Sequence, residues 1–219
     1  MNPSQNQRGR LGLTLIELLV VIAVIAILAG ILLPSFHGTK DKAPATVCVN
    51  QLKQVTLGEI IWANDNGRET LPAQLSTNVG GFQAIVLQAG LVRYYTLLSN
   101  ELRSPRILAC PTDRRRPVDE FALFTTNHLS YFLNVDAGLD TNMTVAIHGD
   151  RQIEFSPRAR GPLVTLATDT TMRWAKDVHS SGSGNISHAD GSVESVSNGT
   201  AIEEVFRAGR SARHRLVFP

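Results

Sequence analysis

Hydrophobic and polar positions divide the chain into stretches of different character. From Leu18 to Leu33 no side chain is polar. Leu13 to Leu33, wound as one α-helix, would rise roughly 31 Å, enough to cross the hydrocarbon core of a bilayer. Gly38 to Pro44 interrupts the pattern, and Pro44 is suited to starting a second helix but not to lying inside a continuous one. From Ala45 to Asn64 the apolar residues return with a helical period. Cys48, Leu52, Val55 and Trp62 share one face, a stripe that reads as core packing rather than a cofactor site. Asn64-Asp65-Asn66-Gly67 supplies a stop, with Gly67 suited to a left-handed cap.

Beyond Gly67 the signals shorten. Gly80-Gly81 opens a stretch with Ala84, Ile85, Leu87 and Leu91 that predicts a small helix. Val145-Ala146-Ile147 and Leu163-Val164-Thr165-Leu166 read as short strands, the second central in its sheet. Asn185 to Ala189, Asp190-Gly191 and Ser192 to Val196 form the strongest hairpin signal, with Asp-Gly at the turn. Thr200-x-x-Glu203 before Val205-Phe206 has the form of a capping box and predicts a short helix after the hairpin. The predicted fold class is α+β: a long N-terminal helix, transmembrane and then amphipathic, packed on a small antiparallel head. The divisions are 1–12, 13–34, 35–67 and 68–219. No internal repeat or long low-complexity segment occurs.

Composition narrows the function classes. A chain of 219 residues is roughly one domain plus an appendage, and 18% charged residues against about 25% in soluble domains excludes charge-rich disorder. A net charge of +2 argues against a dedicated nucleic-acid binder. Two cysteines cannot build a disulfide-dense scaffold or a four-cysteine zinc site. For the apolar run, a buried core helix would carry more polar relief. A cleaved secretory signal would show an A-x-A pattern after the run, whereas Ala23, Ala26 and Ala29 stand three apart and Pro34 follows. A retained membrane helix fits best. Arg8 and Arg10 favour a cytoplasmic N-terminus, opposed by Lys40 and Lys42, which Asp41 partly offsets. Glu17 is the anomaly: it either snorkels to the nearby interface or meets a cation from another chain.

Gly12-Leu13-Thr14-Leu15-Ile16-Glu17, followed by the apolar run, resembles the processing site of type IV pilins and type II secretion pseudopilins. The resemblance implies that residues 1–12 are a leader peptide, cut by a prepilin peptidase between Gly12 and Leu13. Leu13, where the family usually carries Phe, would become the N-methylated terminus, and Glu17 the assembly residue that neutralises a neighbouring subunit's amine. Pro34 sits where many pilins carry a helix-kinking proline. Removal of Arg8 and Arg10 with the leader would take the side-chain charge from +2 to zero. Pairing of one subunit's amine with the next subunit's carboxylate would relieve an otherwise expensive buried charge. Ala26-x-x-x-Gly30 offers a small face where helices can approach closely.

Four further segments occur in order: Cys48 to Gln54, Cys110-Pro111-Thr112-Asp113, Ser130 to Asn134, and His179 through Asp190-Gly191. They resemble a pseudopilin-like group of planctomycete and verrucomicrobial bacteria whose C-terminal motif is His, about nine residues, then Asp-Gly. Here ten residues separate His179 from Asp190. An exported head would place Cys48 and Cys110 in an oxidising compartment. There a disulfide, restricting the unfolded chain by up to about 4 kcal/mol, is favoured over two buried thiols. His179, His188 and Asp190 admit a reading as metal ligands or an acid–base pair, but Asp190-Gly191 already has a structural job in the turn, and structural use is favoured. No calcium loop of the D-x-[DN]-x-[DN]-G form occurs, so no cofactor is expected, with calcium in the head as the variant to test.

No G-x-S-x-G, phosphate-loop Gly-Lys, H-E-x-x-H or C-x-x-C motif is present, and no enzyme activity is expected. Arg114-Arg115-Arg116 and the tail arginines Arg207, Arg210, Arg213 and Arg215 read as solvated surface and a frayed terminus rather than contacts for DNA or lipid. The resemblance thus implies a structural subunit of a pilus-like or pseudopilus filament. Its partners would be prepilin peptidase, other pilin or pseudopilin subunits and the inner membrane, with no nucleic acid expected. It would sit as a single-pass protein with a periplasmic head, or in the assembled filament. The competing expectation is a membrane-anchored extracytoplasmic binding or hydrolytic module that uses 13–33 only as an anchor.

Overall fold

A computed structural model describes residues 14–32, 39–137, 146–156, 161–166, 171–175, 179, 182–197, 206 and 214–219. The chain divides into two units, Met1–Lys40 and Asp41–Pro219.

The first unit contains α1 (Leu15–Leu32), in which Glu17 is the only charged residue. Its large apolar side chains are exposed on every face, from Leu15 and Ile16 through Ile22 to Ile31. Among the described residues no helix is long and apolar enough to cross a membrane. The 18 residues of α1 rise about 27 Å, against a hydrocarbon core of about 30 Å. Leu13 and Leu33, which lengthen the apolar run in the sequence, lie outside the described residues, as does Pro34.

All but the first two residues of α2 (Thr39–Asp65) belong to the second unit; the helix begins six residues earlier than the pattern predicts and carries Pro44 inside it. The first four amides of any helix lack internal partners, so a proline at this depth forfeits a single hydrogen bond near the end. The predicted stripe is buried: Cys48, Leu52 and Val55 fully, and Trp62 at 8% exposure. The helix stops in a Schellman cap. Gly67 takes φ 61, its amide donates to Asn64 O, and the Arg68 amide donates to Ala63 O.

α3 (Gln83–Leu97) is the predicted small helix, longer than expected and broken at Gly90, whose φ of 76 and ψ of 179 are not helical. α4 (Ser99–Leu102) follows directly. The strands are β1 (Tyr131–Asn134), β2 (Ala146–Asp150), β3 (Ile153–Ser156), β4 (Leu163–Leu166), β5 (Thr171–Trp174), β6 (Ser183–His188), β7 (Val193–Ser197) and β8 (His214–Val217). Six of them form one sheet in the order β4-β8-β1-β2-β6-β7, and β3 with β5 forms a separate pair. Every pairing is antiparallel.

Because side chains alternate across a strand, the sheet buries two faces. Tyr131 and Leu133 join α2, α3 and the loops around Leu108 and Leu129 in the larger core. Phe132 faces the other way, into a smaller core with Ile186, Trp174 and Leu216, flanked by Ile153 and Met172 of the β3–β5 pair. The α+β class and the antiparallel head are therefore present.

Three expectations need correction or placement. Leu163–Leu166 is an edge strand, not a central one: among the described residues β4 pairs with β8 alone, and alternate residues along it are exposed. The tail is not frayed throughout. His214–Val217 inserts between β4 and β1, and Arg215 clasps Asp136 through its Nε and Nη2 at 2.6–3.1 Å. Arg207, Arg210 and Arg213, together with the capping box at Thr200 and Glu203, lie outside the described residues.

Candidate functional site

Gly12 and Leu13, the predicted cleavage pair, lie outside the described residues. Thr14 caps α1. Its amide and its hydroxyl each donate to Glu17 Oε2 at 2.8 Å, and the Glu17 amide donates back to Thr14 Oγ1 at 3.4 Å. This reciprocal arrangement satisfies amides that a helix start leaves without partners. It also sets a negative charge against the positive end of the helix dipole. Glu17 is thus fixed four positions along the chain from the residue that a cut after Gly12 would make the new terminus. The residue is held by local chemistry, on a helix otherwise apolar all round.

The C-terminal motif divides into two unrelated places. The β6–β7 hairpin turns through Ala189-Asp190-Gly191. The Gly191 amide donates to His188 O and the His188 amide to Ser192 O, a three-residue loop whose last member must be left-handed. Gly191 meets that requirement at φ 82. Asp190 Oδ1 accepts the Ser192 amide at 2.8 Å, and hydrogen bonds from Ser192, side chain first, hold its carboxyl below the usual value. Asp190-Gly191 therefore builds the turn.

His179 has a different carboxylate partner. Its Nε2 lies 2.9 Å from Asp150 Oδ2 on β2. The same oxygen accepts the Asn185 amide at 2.7 Å and Asn185 Nδ2 at 3.2 Å. On the other side of the ring, Nδ1 lies 3.3 Å from Thr112 Oγ1, which is 2.9 Å from Cys110 Sγ. Cys48 and Cys110 form a disulfide that joins α2 to the loop after Leu108, with 5.1 Å between their Cα atoms. Beside it, Arg151 grips Asp113 at two points of 2.8 Å, and Arg115 lies 3.8 Å from the same carboxylate. Part of the basic cluster is thus committed to internal ion pairing.

A second buried polar group lies at the centre of the head. Glu59, on α2, accepts from the Tyr94 hydroxyl and faces His148 Nε2 at 3.0 Å. His148 Nδ1 lies 3.1 Å from Ser187 Oγ, itself 2.9 Å from Thr56 Oγ1. Burial first, and the Glu59 charge second, push the Tyr94 and Tyr95 phenols well above their ordinary value. Glu59 carried an unread signal. It falls about three helical turns after Cys48, so a charged residue stands in the middle of the apolar stripe. Asp150, Thr112 and Asn185 gave no comparable signal, because the β2–β6 pairing brings Asp150 and Asn185 together and the loop after Leu108, tied down through Cys110, adds Thr112.

Comparison with known proteins places the N-terminal features in context. Residues 7–33 match the family described as the prokaryotic N-terminal methylation motif. Over 94 residues, 42% of the chain, the protein is 32% identical to the type II secretion system core protein G of Klebsiella michiganensis, covering 60% of that protein. Over 63 residues, 29% of the chain, it is 40% identical to the type IV wide pilus major component PilA4 of Thermus thermophilus, covering 48% of that protein. The chain thus spans about half to three fifths of the length of these curated relatives. Both are named as components of secretion or pilus structures, not as enzymes. No solved structure matches the chain. It carries the N-terminal methylation motif and is similar to pseudopilins and pilins.

Proposed function

We propose that the chain is a structural subunit of a type IV pilus-like or type II secretion pseudopilus filament. A prepilin peptidase cuts between Gly12 and Leu13, Leu13 is N-methylated, and the subunit assembles through its N-terminal helix with Glu17 as the assembly residue. The observation that carries this reading is one capped carboxylate in the first turn of an all-round apolar helix, inside the matched methylation motif. A helix apolar on every face must be covered by lipid or by other apolar helices. In the inner membrane lipid covers it, with the head in the periplasm; in the filament, neighbouring helices do. A neighbour's terminal amine then compensates Glu17, which would be expensive to bury alone. The protein itself performs no reaction.

Two measurements test this. Intact mass and N-terminal sequence of the protein from host membranes should give a chain starting at N-methylated Leu13. A chain retaining residues 1–12, or cut after the apolar run, sinks the proposal. Glu17→Leu should insert into the membrane normally yet fail to enter filaments. Unimpaired function of that variant would point instead to an anchored extracytoplasmic module.

A further inference from the structure

We propose that reduction of the Cys48–Cys110 disulfide creates a zinc site formed by Cys48, Cys110 and His179. The two sulfurs and one ring nitrogen of His179 all lie within 4.8 Å of one another, and all three residues are buried. They come from distant parts of the chain: α2, the loop after Leu108, and the residues before β6. The Thr112 hydroxyl approaches all three, at 2.9 Å from Cys110 Sγ, 3.3 Å from His179 Nδ1 and 3.8 Å from Cys48 Sγ. It marks the point on which the donors converge.

The histidine is already oriented for this role. Asp150 holds Nε2 at 2.9 Å, which leaves Nδ1 as the nitrogen turned toward the sulfurs. A carboxylate on one imidazole nitrogen and a metal on the other is the arrangement that fixes ring orientation and raises ligand basicity in zinc proteins. Asp150 is itself fixed by two donors from Asn185. His179 also has φ 39, a left-handed conformation costly for a residue with a side chain. It is retained where it presents the ring to Asp150 and the sulfurs.

Zinc–sulfur bonds of about 2.3 Å and zinc–nitrogen bonds of about 2.0–2.1 Å set tetrahedral donors roughly 3.3–3.8 Å apart. The nitrogen–sulfur separations, at most 4.8 Å, therefore close by up to about 1 Å, while the two sulfurs, bonded in the oxidised form, open by roughly 1.7 Å from an ordinary disulfide bond once reduced. Water or the Thr112 hydroxyl completes the fourth position. The chemistry balances without electron transfer to the metal. A dithiol reductant takes the disulfide to two thiols by exchange and becomes a disulfide itself. Each thiol then loses its proton to solvent as zinc binds, so uptake releases two protons. Two thiolates, a neutral imidazole and Zn²⁺ form a ligand set with no net charge of its own. One clip between α2 and the head thus exists in two forms, covalent under oxidising conditions and metal-held under reducing ones.

The test uses the full chain in detergent micelles, reduced with a phosphine, with Co²⁺ as a spectroscopic stand-in for Zn²⁺. The reduced protein should take up one equivalent and show thiolate-to-cobalt charge transfer with tetrahedral ligand-field bands. Zn²⁺ should displace the Co²⁺, and the oxidised protein should bind none. His179→Ala should change the ligand-field bands, and Asp150→Asn should weaken binding about 10–100-fold. Should the reduced, metal-free chain lose its fold, added Zn²⁺ should restore the native circular dichroism of the wild type but not of His179→Ala. Absence of uptake after reduction, or identical spectra and affinity in His179→Ala, overturns the proposal.

Discussion

At the scale of single residues, the head keeps all three of its tyrosines away from water: Tyr94, Tyr95 and Tyr131 are fully buried. Burial is the first cause raising each phenol well above its ordinary value, with the Glu59 carboxylate adding to it for Tyr94 and Tyr95 and the Asp150 carboxylate for Tyr131. In the unfolded chain these groups ionise near about pH 10. Their neutral burial therefore contributes fully below that pH, and stability falls as pH rises past it. Tyrosinate absorbance should consequently be missing around pH 10 and appear in one cooperative step with alkaline unfolding. A gradual titration centred near pH 10 in the folded protein would show that the phenols are reached by solvent. The same scale shows how much of the site could be read from sequence. Glu17 stands out because a charge in an apolar run is visible without a fold. His179 stands out in the sequence only through its spacing to Asp190-Gly191, which says nothing of the carboxylate it meets in the fold. Its partner Asp150 is 29 residues away and reaches it through the β2–β6 pairing.

Between elements, the tightest fit is where the β3–β5 pair meets the sheet. A Cβ on Gly184 of β6 would lie 2.5 Å from the ring of Trp174 on β5, and Trp174 is fully buried. Gly184→Ala should therefore cost about 1–3 kcal/mol through overpacking, seen as a lower urea midpoint at unchanged slope. An unchanged midpoint would mean that Trp174 is not seated there. The strands also show why the sheet was only half readable. Helices α2 and α3 declare themselves through a 3.6-residue period, and the β6–β7 hairpin through Asp190-Gly191. β6 itself, Ser183–His188, is buried although mostly polar, so only its turn betrayed it. A four-residue segment such as Leu163–Leu166, apolar at three positions, fits an edge or a centre equally well, and its neighbour β8 comes from the far end of the chain. β1 and β8 bond to partners remote in sequence, which no local pattern records.

For the whole molecule, the covalent tie between α2 and the rest of the head matters most. The bridge closes a loop of 62 residues, worth about 4 kcal/mol by restriction of the unfolded chain. A Cys48→Ser, Cys110→Ser double variant should lose about that much in urea unfolding, whereas a loss below about 1 kcal/mol would show that packing along the α2 stripe holds the helix unaided. The same bridge also redirects mechanical load. Tension travelling along the backbone from the amino end reaches Cys48 and passes through sulfur to Cys110, so residues 49–109 carry none of it. Drawn straight, that shielded loop would amount to roughly 200 Å of chain. A subunit hauled by its helix thus keeps that slack locked away, and the first length a pull can extract from the head lies beyond Cys110.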